Sequence, residues 1–321
     1  MRLHKQVFVL LFAVLACGAR AQDYPNRPIR ILVPNAPGSS VDTMTRILTT
    51  RLGEALGGAS IVVEDRDGAG GLIGMDAGRK AAPDGYTLIT VSNGSGVIAP
   101  LLKKVRPYDT AQDFELIGSF AITPNVLVVN PQLPVNSVKE LIDYARAHRA
   151  TINMASAGIG SQSHLAGALL MTMGNFESLH VPHKGGGPSV GSVAAGQTHW
   201  TLTPAPAAMA QVKAGRLRAI GQSLPRRSAL LADLPAIAET VPGYDFNGWA
   251  GLIAPKGTPR PVIERLQAAL AKTLSAPEVR DGLAGQGADL FPGNTEEFRK
   301  FLAQDVANTE RVMKAAQLQP E

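Results

Sequence analysis

Cysteine is almost missing from this 321-residue chain, with Cys17 the only one. One thiol excludes an intramolecular disulfide and a zinc site built on several thiolates. Aromatic residues are scarce at 5 %, so large aromatic clusters are not expected to organise the core. Charged residues are also few, 18 % against 45 % hydrophobic, which excludes a disordered chain. No stretch approaches 18 unbroken apolar residues, so a membrane-spanning helix is excluded as well. Runs of Lys and Arg are absent. The formal charge of +5 falls to +2 when Arg2, Lys5 and Arg20 are set aside, leaving 28 basic and 26 acidic residues. The basic balance is therefore no sign of a nucleic-acid partner.

Those three cations lie in what reads as an export signal. Arg2 and Lys5 form its charged region, Val7 to Ala16 its apolar core, and Ala19-Arg20-Ala21 a small-x-small cleavage site. Cys17 would leave with residues 1–21. Val14-Leu15-Ala16-Cys17 offers a rival lipoprotein processing site, which Leu15 fits poorly. The expected mature protein is soluble, periplasmic and cleaved near Ala21.

Glycine (33) and proline (23) are plentiful, which suits many short strand-to-helix turns. Two such turns share one design. In the first, the apolar run Ile152 to Ala155 leads into Ser156-Ala-Gly-Ile-Gly-Ser161, and Leu165, Leu169, Leu170 and Met173 follow at helical spacing. In the second, Ile29 to Val33 reads as a buried strand, Pro34-Asn-Ala-Pro-Gly-Ser-Ser40 as a turn and Val41 to Leu56 as a helix. Ser39 is an N-cap candidate there, with Asp42 three residues on as the acidic partner of a capping box. Turns of this kind leave backbone N–H groups unpaired at the positive end of a helix dipole. Each is a seat for an anion made without a charged side chain. Two seats far apart in sequence imply two lobes facing one ligand.

The rest of the chain alternates strand and helix. Ser60 to Glu64 carries Ile61, Val62 and Val63 unbroken, the pattern of a strand buried on both faces. Asp67 to Gly74 opens a helix to about Lys80, and strand Tyr86 to Val91 ends at Ser92-Asn-Gly-Ser-Gly96. Units of this kind predict a parallel sheet covered by helices, with ligands at the C-terminal ends of the strands. Leu116 to Ile122 and Val126 to Val129 flank Pro124 and read as the passage into a second domain. There, helices Ser137 to His148, Gly187 to Ala195 and Ala207 to Ala214 alternate with strands Leu179 to Pro182, His199 to Thr203 and Leu217 to Ile220. Strand Trp249 to Ala254 and helices Pro261 to Leu274 and Thr295 to Met313 close the chain by returning to the first domain. The expected fold class is α/β, with two domains, each a mainly parallel sheet flanked by helices, and a cleft between them. Residues 22–123 and 224–321 would form the first, discontinuous domain and 124–223 the second.

Seven motifs follow one another in order: Tyr24-Pro-x-Arg-Pro-Ile29, Val33-Pro-x-x-Pro-Gly38 with Asp42, Glu64-Asp-Arg-x-Gly-Ala-Gly-Gly71, Pro83-Asp-Gly-Tyr-Thr-Leu88, Ala155-Ser-x-Gly-x-Gly-Ser161 with His164-Leu-Ala166, His180-Val-Pro-x-Lys-Gly185 and Ala254-Pro-x-Gly-Thr-Pro259. Together they resemble the extracytoplasmic solute receptors of tripartite tricarboxylate transporters, the Bug family, from about Tyr24 to the C-terminal helix. The resemblance implies a Venus-flytrap protein of the periplasmic-binding-protein type, its two domains joined by crossing strands. It implies no catalysis and no cofactor. A monomer would capture a small carboxylate (a di- or tricarboxylate, an acidic amino acid or an aromatic acid) and deliver it to membrane permease subunits.

The implied ligand-binding residues are Ala36, Gly38, Ser39, Ser40 and Asp42 on the first loop, Ser92 and Asn93 after the third strand, Ser156, Ala157, Gly158, Gly160, Ser161, Ser163 and His164 on the second loop, and Thr203. Asp42 divides between ligand contact and a plain helix-start role. Neither loop brings Arg or Lys, so selectivity would rest on shape and hydrogen-bond geometry. The chain departs from the family at the expected pocket: Asn35 stands where an aromatic is usual, Gly38-Ser39-Ser40 where paired glycines and further small residues are usual, His183 where Tyr is usual, and Thr203-Pro204 where Phe-Asp is frequent. These departures bear on which ligand binds and leave the fold reading intact. A sensor presenting a carboxylate to a membrane signalling partner would use the same features.

Other chemistries fit less well. Gly158-x-Gly160-x-x-Ser163 and Gly68-x-Gly70-x-x-Ile73 both miss the dinucleotide fingerprint at its sixth position. Gly187-Pro-Ser189-Val-Gly191 matches the nucleophile elbow of a serine hydrolase, but only His199 follows and no acid lies between them. His164, His180, His183 and His199 lack a Cys or carboxylate to complete a metal set. Of the four, His164 alone is expected to neighbour the pocket.

Overall fold

The computed structural model describes residues 24–149, 151–316 and 318–320. The expected export signal, with Cys17 and the cleavage site, lies outside them. Strands β1 (Ile29–Val33), β2 (Ile61–Asp65) and β3 (Thr87–Ser92) are parallel neighbours, with β1 in the middle. Helices α1 (Ser40–Ala55) and α2 (Leu72–Arg79) link them. The long strand β4 (Phe114–Thr123) leaves this sheet, and β5 (Asn125–Val129) begins the next.

In the second sheet, α3 (Val138–Ala147) precedes β6 (Asn153–Ser156), and α4 (Gln162–Met173), β7 (Leu179–Pro182), α5 (Gly186–Ala194), β8 (Trp200–Pro204), α6 (Ala205–Lys213) and β9 (Arg218–Gln222) follow in turn. The chain then returns to the first sheet with β10 (Gly248–Pro255), α7 (Arg260–Leu274), α8 (Pro277–Gly285), β11 (Asp289–Gly293) and α9 (Thr295–Ala315). The strand orders are β11-β4-β10-β3-β1-β2 and β7-β6-β8-β5-β9.

The helices form where apolar residues recur at helical spacing behind a cap. In α3, Ser137 accepts from the Glu140 N–H, and Val138, Leu141, Ile142 and Ala145 make the buried stripe. Asn294 and Glu297 close a reciprocal capping box at the start of α9. Helix α4 differs: Ser163 to Leu170 are all buried, because β8 covers one side and α9 another. A helix apolar on every side belongs inside.

Three features depart from the expected pattern. Strand β2 is an edge strand, and Val62 is 52 % exposed; an apolar run of three cannot tell a central strand from an edge one, since only its partners decide burial. The sheets are mixed rather than mainly parallel: β10 is antiparallel to β3 and β4, β11 to β4, and β5 to β8 and β9. β10 re-enters at the edge by which β4 leaves, with Gly248 opposite Thr123, and so runs against it. Helix α8 and strand β11 lie in a stretch where no such elements are expected from the sequence. Pro277 starts α8, and β11 pairs with β4 through an irregular register.

The pairing also fixes how the sheets meet. Parallel β1, β2 and β3 put the turns after Val33, Asp65 and Ser92 on one edge. Thr123 ends β4 on that edge, because it pairs with Gly248 and Ala250 lies opposite Ser92. Parallel β6, β7 and β8 put the turns after Ser156, Pro182 and Pro204 on one edge of the second sheet. Asn125 opens β5 opposite Pro204, on that same edge. Pro124 alone separates the two edges, so they face each other.

Candidate functional site

Each facing edge carries one of the two anion-seat turns. On the first sheet, Ser39 caps α1 by accepting from the Asp42 N–H at 3.2 Å. Asp42 reaches back to the Gly38 N–H at 2.8 Å, one residue beyond the capping-box donor expected. Its other oxygen accepts from Arg46 Nε, and Arg46 also donates to Asp65 Oδ2 at 2.8 Å. Both oxygens of Asp42 are thus engaged inside the turn. The Ser40 and Val41 N–H groups find no acceptor among the described residues. Ala36 and Gly38 lie exposed beside them.

On the second sheet, Ser161 caps α4 by accepting from the His164 N–H at 3.3 Å, and its hydroxyl donates to the Gly158 carbonyl at 2.6 Å. The Ala157 N–H donates to Ser163 Oγ at 2.8 Å. Gln162 and Ser163 leave their own N–H groups without an acceptor among the described residues. Gly160 is required here: its φ of +73° is left-handed, and a Cβ would meet Leu102 of the first lobe at 2.5 Å.

A histidine pair backs this turn. Ser156 Oγ and His180 Nε2 are 2.6 Å apart, and the His164 and His180 rings stack at 3.9 Å. The Gly160 N–H donates to His164 Nδ1, which makes that nitrogen an acceptor. Burial first, and His180 second, push His164 down to about 4, so it stays neutral. Burial lowers His180 as well, assisted by His183.

Ser92 and Asn93 stand at the end of β3, where a π-helical turn (Gly94–Ile98) replaces the expected open turn. The Ser92 N–H donates to Ser95 Oγ at 3.2 Å. Asn93 Nδ2 donates to Asp305 Oδ2 at 2.8 Å, and Trp249 Nε1 donates to the same oxygen at 2.8 Å. Burial pushes the Asp305 carboxyl up to about 6 against the lowering effect of those two bonds, and Asp245 adds to the rise. Thr203 is buried in β8 opposite Val126.

Within each lobe the expected residues come together on one edge. Between the two loops themselves no direct hydrogen bond is found among the described residues. The lobes meet instead through α9 packed on α4, through Leu102 against Gly160 and through a buried cluster at the crossing. There the Asn125 N–H donates to Ser223 Oγ, the Ser223 hydroxyl donates to Asn247 Oδ1, and Gln162 Nε2 donates to Asn125 Oδ1. Sequence reasoning missed Asn125, Asp305 and the His180 contact. A Pro-flanked strand break marks the neighbourhood of Asn125, but nothing local marks Asp305, which lies 212 residues from its partner Asn93.

Ser189 is buried inside the first turns of α5, and His199 Nδ1 lies 2.8 Å from Asn153 Oδ1. Among the described residues no three His, Cys, Asp or Glu side chains converge as a metal site would require.

Known proteins share this architecture. The family described as "Tripartite tricarboxylate transporter family receptor" matches residues 44–318. The protein BugT of Bordetella pertussis is 33 % identical over 296 residues, covering 92 % of this chain and 90 % of BugT. The structure of R. palustris Rpa4515 with adipate superposes with a TM-score of 0.84 at 33 % identity, covering 93 % of this chain and all of that one. MatC from Rhodopseudomonas palustris with bound malate gives 0.78 at 29 % identity, over 90 % and 99 % of the two chains. The chain belongs to the tripartite tricarboxylate transporter receptor family, whose members are solute-binding receptors and not enzymes.

Proposed function

We propose that this chain captures a small organic carboxylate in the periplasm and delivers it, as a monomer, to the permease subunits of a tripartite transporter. The observation that carries the reading is the pair of helices α1 and α4, capped by Ser39 and Ser161, that begin on edges separated by Pro124 alone. A carboxylate between them would accept hydrogen bonds from the free N–H groups of Ser40, Val41, Gln162 and Ser163, with two helix dipoles behind. The adipate and malate held by two related proteins support an acid as the ligand.

On this reading residues 24–123 and 224–321 form one lobe and 124–223 the other, and Asn125, Ser223 and Asn247 are the hinge. The remaining pocket residues are Ala36, Gly38, Asp42, Ser92, Asn93, Ser156, Ala157, Gly158, Gly160, Ser161, His164 and Thr203. Asp42 acts there by shaping the turn.

A thermal-shift screen of the mature protein, freed of carried-over ligand, against mono-, di- and tricarboxylates, amino acids and aromatic acids tests the proposal. Binding to the folded state raises the melting temperature by mass action. A rise with one related group of acids is expected, and a flat response to every acid would overturn the reading.

A further inference from the structure

Asn93, Asn35 and Asp65 stand at the C-terminal ends of three adjacent parallel strands, β3, β1 and β2. Each keeps one buried side-chain oxygen, Oδ1, that accepts no hydrogen bond among the described residues. Buried acceptors without donors are destabilising and uncommon. Three along one edge, beside the proposed carboxylate seat, point to a donor supplied from outside the chain.

The chemistry at Asn93 says which group is left over. Asp305 Oδ2 accepts from Trp249 Nε1 and from Asn93 Nδ2, both at 2.8 Å. The reverse orientation would set the amide oxygen against a carboxylate, so the oxygen is the free group. Asn93 is 1 % exposed, which leaves it little room to turn. Asp65 is an acceptor in any orientation, and its second oxygen already takes Arg46. Arg46 serves Asp42 too, so two carboxylates share one guanidinium.

This edge therefore combines free N–H groups at the start of α1 with unsatisfied oxygens on its strand ends. Resting on the receptor reading above, we propose that the ligand carries a hydrogen-bond donor, a hydroxyl or an ammonium, beside its carboxylate. Asn93, oriented by Asp305, selects for that donor. An unsubstituted acid leaves the Asn93 oxygen buried without a partner, and sites built to bond a polar group reject analogues that lack it.

The test is titration calorimetry of the mature protein with acids matched in skeleton. The sets are succinate, malate and aspartate; glutarate, 2-hydroxyglutarate and glutamate; adipate, 2-hydroxyadipate and 2-aminoadipate; and phenylacetate, mandelate and phenylglycine. In any set that binds, a substituted member should bind about tenfold or more tightly than the unsubstituted one. The hydroxy and amino arms tell which donor is used. Asn93→Leu should bring that ratio towards one. Asp305→Ala should lower it as well, because the Asn93 amide then loses the acceptor that orients it; a thermal melt checks that each variant folds. An unsubstituted acid that binds as tightly as its substituted partners overturns this inference and leaves the receptor reading standing. A ratio unchanged in both folded variants removes Asn93 as the selector. No binding by any set overturns the inference and the receptor reading together.

Discussion

The side-chain amide of Asn125 donates a 2.7 Å hydrogen bond to the main-chain oxygen of Phe246, where the chain passes between the two sheets. The same side chain accepts from Gln162, and its backbone pairs with Ser223 in both directions. Asn125 is fully buried. Asn125→Ala should cost about 1–3 kcal/mol for the orphaned Phe246 oxygen alone. Urea unfolding would read this, and an unchanged midpoint would show that the cluster adds nothing to stability.

The two caps can be removed separately and together. Ser39→Ala and Ser161→Ala should each lower stability by about 1 kcal/mol through loss of the cap. If the turns are the carboxylate seat, the double variant also loses affinity for the acid found by thermal shift. Affinity equal to that of the unaltered protein would place the seat elsewhere.

Gly160 meets Leu102 across the lobes. Gly160→Ala should cost about 1–2 kcal/mol because φ is left-handed. The new methyl would push the end of the Leu102 side chain aside and disturb this contact between the lobes, so affinity falls too. Adding Leu102→Ala makes room: affinity should recover while the backbone cost persists. Calorimetry and unfolding on the three variants separate the effects, and a double variant that recovers no affinity would argue against the lobe contact as the cause.

Acid affects two buried groups in opposite directions. The Asp305 carboxyl is raised to about 6, above the unfolded value of about 4, so its contribution is present below about 4 and lost as pH rises through 6. His164 is depressed from 6.5 to about 4, so its contribution is present above 6.5 and lost as pH falls towards 4. Between pH 4 and 6.5 the slopes oppose each other, with His180 and His199 on the side of His164. Asp305→Asn should steepen the loss of stability on acidification, and His164→Gln should flatten it. Urea midpoints across that range decide; curves parallel to the unaltered protein would remove these groups as the cause.

Features whose physics is local are written in short stretches of the chain. A strand, a turn and a helix start lie within about a dozen residues of one another, so Ile29 to Ala55, with its Ser39 cap, and Asn153 to Met173 are legible from composition and spacing. The ordered motifs added the family and the two-lobe α/β fold. Tertiary structure decided what depends on partners distant in the chain. Only pairing makes β2 an edge and the sheets mixed. Only the fold brings Asp305 to Asn93, His180 to Ser156 and Leu102 to Gly160. A side chain's hydrogen-bond partner is set by which surfaces meet after collapse, and the sequence near Asn93 carries no trace of a carboxylate 212 residues away.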